Sequence, residues 1–302
     1  MRAPWREKMI EEGIWTGPIV DQHIHLDRSN RFLDAVSEFS RSGGTGLILV
    51  HKPAFSKTLP KDINGYREAY SETISMAQEI RDSMNLNVGV ALGPHPVVWE
   101  KQIHSLGMEQ SSELHIEAVG LALDYIQSGD AHCLGEVGRP HYPVPDDVWE
   151  SANSMLEEIL SLAASSKSPV QLHVEENGEQ TCSEISQICR KSGLHLDRAV
   201  RYYAPANVSS DFTHGLSATV NVGSGAVGGL CDTARQANAP WGMETDFLDD
   251  PARPGAVLGP KTVPKRTQEL CSSLLSEGWG GDEVESLLFN IHERWPKSIY
   301  GI

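Results

Sequence analysis

The sequence predicts a (β/α)8 barrel, and three observations carry that prediction. Short β-branched or apolar runs alternate with longer helix-like stretches along the whole chain, the pattern of parallel strands joined by helical crossovers. Eight such runs can be placed, enough to close a barrel. Residues of metal-ligand type fall at the ends of four of them, and the C-terminal ends of strands are where such a barrel carries its chemistry. An open doubly wound sheet would share the alternation.

The runs lie at residues 19–26, 46–51 (GLILVH), 86–92 (LNVGVAL), 131–137 and 169–174 (PVQLHV), with weaker ones at 198–204, 216–222 and 240–246. Between them, residues 64–84 are rich in Ala, Glu, Ile and Met. Residues 147–165 set Trp149, Met155, Leu156, Ile159, Leu160 and Ala163 at three- and four-residue steps, an amphipathic stripe. Residues 179–191 and 282–295 resemble it, and Pro and Gly punctuate the joins. No fixed-period repeat, low-complexity tract or long linker divides the chain. Residues 1–302 therefore read as a single barrel domain, with 1–15 as an N-terminal extension.

Composition narrows the function. The 302 residues carry 41 acidic and 25 basic side chains, a net charge of −16, which argues against a broad basic face that coats nucleic acid. With 39% hydrophobic and 22% charged residues, a mainly disordered chain is excluded. Five scattered cysteines include no C-x-x-C pair, and an odd set suits a reducing compartment. The first fifteen residues mix Arg2, Arg6, Glu7, Lys8, Glu11 and Glu12 and lack the apolar stretch of a signal peptide. No run reaches the roughly 18–20 apolar residues of a membrane helix. The expectation is a cytoplasmic protein with no membrane contact and no stable protein partner implied.

The strongest motif is Asp21-Gln22-His23-Ile24-His25-Leu26-Asp27. Side chains at i and i+2 of a strand share a face, so His23 and His25 project together and could chelate a metal. Two hydrogen-bonded core histidines would be the plain alternative. Glu136 ends the fourth run, His173 the fifth and Asp246 the eighth. A carboxylate at the end of an apolar run is costly to bury unless it is paired or metal-bound. Four such coincidences in separate strands point to one metal site.

D-x-H-x-H-L-D at the first strand, G-E-x-G at the fourth, His173 at the fifth and E-T-D at the eighth together resemble the TatD family of metal-dependent hydrolases, within the amidohydrolase superfamily. Gly93-Pro94-His95-Pro96 after the third strand and Asn290 near the C-terminus extend the likeness over nearly the whole chain. The resemblance implies that His23, His25 and Asp246 hold one divalent ion, with Glu136 bridging to a second that His173 ligates. It implies Asp246 and Glu136 as catalytic groups, Asp246 taking the proton of the attacking water. The cofactor would be one or two divalent metal ions, Zn, Mn or Mg. One departure bears on their number. Tyr202 stands where the family has a second-metal His at strand six, and the next histidine, His214, falls in the loop leading into strand seven.

For substrate, residues 251–266 contain Arg253, Lys261, Lys265 and Arg266 and no acid, a locally basic loop after Asp246 that could hold phosphate oxygens. Its prolines and glycines suggest a fixed loop rather than a helix. Lys261, Arg139 and His95 are the candidate substrate contacts, with Lys52 at the same face. Glu175 and Glu176 stand where many relatives carry an Arg, which weakens the nuclease analogy. The leading expectation is a TatD-like deoxyribonuclease, a hydrolase of phosphodiesters at DNA or RNA ends. A hydrolase of a small amide, lactone or phosphoester is the alternative, and a binding protein without turnover the third. The glycine-rich stretch at 223–228 follows the seventh strand and does not match a dinucleotide fingerprint.

Overall fold

The computed structural model describes residues 8–53, 59–253, 255 and 257–302. The barrel strands are β1 (Val20–His25), β2 (Gly46–Val50), β3 (Asn87–Leu92), β4 (Cys133–Gly138), β5 (Val170–His173), β6 (Ala199–Ala204), β7 (Ser217–Asn221), β8 (Trp241–Glu244) and β9 (Phe247–Leu248). Their order in the sheet is β8-β7-β6-β5-β4-β3-β2-β1-β9, and every pairing is parallel. β9 follows β8 directly in the chain and pairs with β1, Phe247 opposite Ile24 and Leu248 opposite His25. The eighth strand is thus split in two, and its second piece returns the sheet to its first strand. This is the expected (β/α)8 architecture.

Helices wrap the outside: α1 (Leu33–Arg41), α2 (Ile63–Ser83), α3 (Pro96–Leu106), α4 (Met108–Ser128), α5 (Asp146–Ser166), α6 (Gly178–Ser192), α7 (Ser210–Thr213), α8 (Ala226–Thr233), α9 (Thr262–Ser276), α10 (Gly281–Phe289) and α11 (Trp295–Tyr300). The amphipathic stripe of α5 buries Met155, Leu156, Ile159, Leu160 and Ala163 in the main core. Ile299 and Tyr300 pack with Ile48, Val50, Ala91, Cys133 and Val200 in a separate cluster, and the Tyr300 hydroxyl accepts from Gln171 Nε2 of β5. Among the described residues no helix is long and apolar enough to cross a membrane.

Three expectations change. Residues 1–7 of the N-terminal extension lie outside the described residues, and the remainder forms a hairpin, Ile10–Glu11 against Ile14–Trp15. It is tied to α9 by Trp15 N donating to Gln268 Oε1 and Gln268 Nε2 donating to the Trp15 carbonyl, each 2.9 Å. The segment 251–266 is not all loop: α9 begins at Thr262, because a proline in a helix's first turn, here Pro264, costs no internal hydrogen bond. The expected helix at 282–295 is α10 followed by a wider turn, Asn290–Arg294, before α11.

The split in strand eight has a cause. Asp21 of β1 is fully buried. Its carboxylate accepts from the Thr245 backbone N–H at 3.1 Å and the Thr245 hydroxyl at 2.6 Å, and from the His23 N–H at 3.3 Å. Thr245 Oγ1 in turn accepts from Phe247 N–H at 3.0 Å. A side chain thus takes over donors that a sheet ladder would use, and the chain turns at Asp246 with φ 49°. Burial pushes the Asp21 carboxyl up to about 7 against the pull of the Thr245 and His23 bonds.

Thr245→Val removes a hydroxyl that bonds a buried carboxyl and should cost about 1–3 kcal/mol of stability, measured by urea unfolding. A second test concerns His292, fully buried, with Nδ1 accepting from Val20 N–H at 3.1 Å. Burial lowers its pKa from 6.5 to about 3. Below 6.5 the unfolded chain takes up this proton first, so stability contributed at neutral pH is lost as pH falls from 6.5 toward 3. The unfolding free-energy gap between the wild type and His292→Gln should therefore narrow by about 2 kcal/mol from pH 7.5 to pH 5.

Candidate metal centre and active site

Three of the four central side chains emerge where the sheet is irregular or broken. Register shifts occur between Asp21 and Ile24 in β1 and between Leu134 and Val137 in β4, bracketing His23 and Glu136. Asp246 lies in the gap between β8 and β9. A third shift, between Arg201 and Ala204 in β6, brackets Tyr202. Bulges re-aim side chains, and here they turn them toward one point. Close approach of β4 to β5 requires glycine at 138, where a Cβ would lie 1.9 Å from the His173 carbonyl oxygen.

His23 Nε2 and His25 Nε2 are 3.2 Å apart. His23 Nε2 lies 3.6 Å from Glu136 Oε1 and 3.7 Å from Asp246 Oδ1. His25 Nε2 lies 3.5 Å from both Glu136 Oε2 and Asp246 Oδ1. His25 Nδ1 is 3.1 Å from the Val50 carbonyl, which can only accept, so the proton of a neutral His25 sits on Nδ1 and Nε2 presents a lone pair. A ring N–H given to a backbone carbonyl is the usual support of a metal-ligating histidine. His23, His25 and Glu136 form a buried group whose ligand atoms all lie within 4.8 Å of one another, and Asp246 completes it.

The electrostatics agree that this is a place for a cation. Burial drives His23 down to about 3, Glu136 opposing, so it is neutral and able to ligate. Burial also opposes charge on His25, but the bond to Asp246 and the Glu136 charge outweigh it and raise its pKa. Burial would raise Glu136, yet the surrounding His95, His173, His25 and His23 hold it well below the carboxylate range. Asp246 is raised, chiefly by burial. Its side chain keeps 17% exposure, against 3% for Glu136, so it is the carboxylate of the pair that solvent reaches. The donor set, two neutral-capable imidazoles and two carboxylates, suits a divalent ion.

Glu136 belongs to a second buried group with His95 and His173. His95 Nε2 stands 3.8 Å from Glu136 Oε2. His95 also caps α3, its Nδ1 accepting from Val97 N–H at 3.0 Å. His173 Nδ1 lies 3.4 Å from Glu136 Oε1 and 2.5 Å from the Tyr202 hydroxyl, and its Nε2 lies 2.6 Å from Nδ1 of His141. The Tyr202 ring is stacked on His23, 4.2 Å between centroids at 12°.

The structure therefore brings His23, His25, Glu136, His173, Asp246 and His95 together. It does not bring Arg139 or Lys261 to them. Arg139 is buried, donates to Glu175, Glu184 and Asn153, and lies over the Trp149 ring. Lys261 Nζ stands 3.3 Å from Glu38 Oε1 at the surface. Lys265 and Arg266 pair with Glu269, and Lys52 Nζ donates to Asp27 Oδ2 and the Asp249 carbonyl. His214 caps α7 and bonds Glu179. Asn290 Oδ1 accepts from Arg294.

Two residues went unselected in the sequence. His141 follows β4 in a Pro-rich loop, and only its meeting with His173 singles it out. Tyr203, 51% exposed with φ 52°, has its N–H held by Glu244 Oε1 at 2.9 Å and lies close enough to Asp246 for that charge to raise its pKa, after burial. Beside His95 opens a cavity of about 280 Å³, lined also by His51, Lys52, Lys61, Tyr66 and Val98.

The family described as TatD related DNase matches residues 20–295. The chain belongs to that family. An uncharacterized protein of Methanocaldococcus jannaschii is 29% identical over 292 residues, 94% of this chain and 95% of its own. Among solved structures, a TatD homologue from Escherichia coli superposes with TM-score 0.58 at 18% identity, covering 94% of this chain and 98% of its own. A variant of the organophosphorus hydrolase of Deinococcus radiodurans does so with TM-score 0.56 at 13% identity, covering 94% and 92%. The family match makes the chain a TatD-family hydrolase, and the solved structures share its barrel fold.

If the first cluster holds an ion, His25→Ala should weaken Zn2+ or Mn2+ binding by at least ~10–100-fold, the loss typical of disturbing even a ligand's support. Titration calorimetry of metal-stripped protein reads this directly, and unchanged affinity would remove His25 from the ligand set.

Proposed function

We propose that this TatD-family hydrolase cleaves phosphoester bonds, with the ends of single-stranded DNA or RNA as its leading substrates. The convergence of His23, His25, Glu136 and Asp246 on one point at the barrel mouth carries the reading. A divalent ion bound there supplies a Lewis acid for a phosphoryl oxygen and acidifies a water. Asp246 is the candidate general base: it is the carboxylate of the pair that solvent reaches, and so the one beside which an attacking water can lie. His95 accepts a backbone N–H at Nδ1, so its Nε2–H faces the site as a donor to a phosphoryl oxygen. Glu136 stays ionised and binds rather than accepts a proton.

A smaller phosphoester is the second reading, and the cation pairing favours it. Lys52, Arg139, Lys261, Lys265 and Arg266 are each matched to a carboxylate, which leaves them poor anchors for a long polyanion. The cavity beside His95, about 280 Å³, lies just under the usual size of a small-molecule site. It suits a chain end or a small molecule better than duplex.

Metal-stripped protein should regain cleavage of an end-labelled single-stranded oligonucleotide when Mg2+, Mn2+ or Zn2+ is restored. Asp246→Asn should lower turnover by at least ~100-fold while the circular dichroism spectrum is kept, and His95→Gln should lower kcat/KM by ~10–100-fold as a lost transition-state donor. Turnover of bis(p-nitrophenyl) phosphate without oligonucleotide cleavage would select the small-substrate reading. Full activity in Asp246→Asn would overturn the base.

A further inference from the structure

Glu136 faces two groups of potential ligands, and so offers a cation position on either side of it. We propose that only one is used: the chain holds a single divalent ion, with His23, His25, Glu136 and Asp246, and the Tyr202 hydroxyl closes the other position. The inference rests on the metal-site reading above and adds the stoichiometry and the residue that sets it.

Each nitrogen of the second group is already committed. His95 Nδ1 accepts from Val97 N–H, which leaves the proton of the neutral ring on Nε2, the atom facing Glu136. A protonated nitrogen has no lone pair to give. His173 Nδ1 meets the Tyr202 hydroxyl at 2.5 Å, and its Nε2 meets His141 Nδ1 at 2.6 Å. Glu136 Oε1 faces the same His173 Nδ1 at 3.4 Å, so both ring nitrogens of His173 have hydrogen-bond partners whichever of them carries the proton. An ion on His173 Nδ1 must displace the phenol.

The phenol has little freedom to leave. Its ring is stacked on His23 at 4.2 Å, and the next residue's backbone N–H is pinned by the buried Glu244. The chain at Tyr203 is held with φ 52°, within the register shift that turns Tyr202 inward. Glu136 is then the remaining donor of the second group, and it is shared with the first ion; a single shared carboxylate does not build a divalent site. Tyr202 is a positioning residue: it acts through His173 and Glu136.

The test is metal content and spectroscopy on the full chain, loaded with Mn2+ and desalted. Wild type should carry one ion per chain by mass spectrometry and give the six-line electron paramagnetic resonance spectrum of an isolated Mn2+. Tyr202→His replaces the phenol with a ligand and should carry two, with the exchange-broadened spectrum of a coupled pair. Tyr202→Ser, which removes the ring and frees His173, serves as the second variant if the first does not fold. Two ions in the wild type would overturn this inference and leave the first site standing. One ion in both folded variants would also overturn it, since Tyr202 would not be the block. No ion in the wild type would overturn the metal-site reading itself, and this inference with it.

Discussion

The buried bond pair between Asp21 and Thr245 is the constraint on which the site depends. It crosses from the first strand to the last, at the seam where the barrel closes, and satisfies both a backbone N–H and a hydroxyl with one carboxylate. Without it the eighth strand could run on in regular geometry, and the side chain at 246 would follow the sheet's alternation. With it the strand stops at Glu244, and Asp246 is held in a left-handed turn beside the histidines. The cost is a carboxyl group buried in the wall. The same carboxyl accepts from the His23 N–H, so one residue fixes both sides of the cluster.

The cluster built on this seam concentrates acceptors. Two imidazole lone pairs and two carboxylates meet within a few ångströms, and the low-dielectric surroundings make their repulsion severe unless a cation lies among them. The opposed pKa directions of Glu136 and Asp246 express the same fact. Glu136 is surrounded by imidazoles and keeps its charge. Asp246 sits at the open edge with fewer stabilising partners, which leaves it the better proton acceptor. Two carboxylates of one type are thus set to different tasks by their neighbours.

Outside the cluster, charge is largely internal structure. Arg139 is the clearest instance. In the sequence it follows the Glu136 strand and stands where a phosphate contact would be useful. In the fold it is buried with Glu175, Glu184 and Asn153 around it. Glu176 likewise pairs with Arg201 of β6. The acids at 175 and 176, which looked like the loss of a substrate-binding Arg, form two ion pairs that tie β4, β6 and the start of α6 together.

Local pattern was enough to determine the barrel, the order of its strands and four of the central side chains. Hydrophobic periodicity and i, i+2 alternation depend on neighbours in sequence, which is why the runs at 19–26, 131–137 and 169–174 and the stripe in α5 were legible. What tertiary structure alone decided depends on groups far apart in the chain. The break before Asp246 is made by Asp21, more than two hundred residues away. The helical start at Thr262 and the pairing of Lys261 with Glu38 remove much of the apparent basic loop. Tyr202 reads in sequence as a departure from a motif, and His141 as nothing in particular. Only the fold sets them on either side of His173 and makes the tyrosine hydroxyl a partner for a nitrogen that would otherwise be open to metal. Hydrogen-bond partners fix protons, and protons decide which nitrogen can ligate, so spacing alone could not determine which nitrogens are open to an ion.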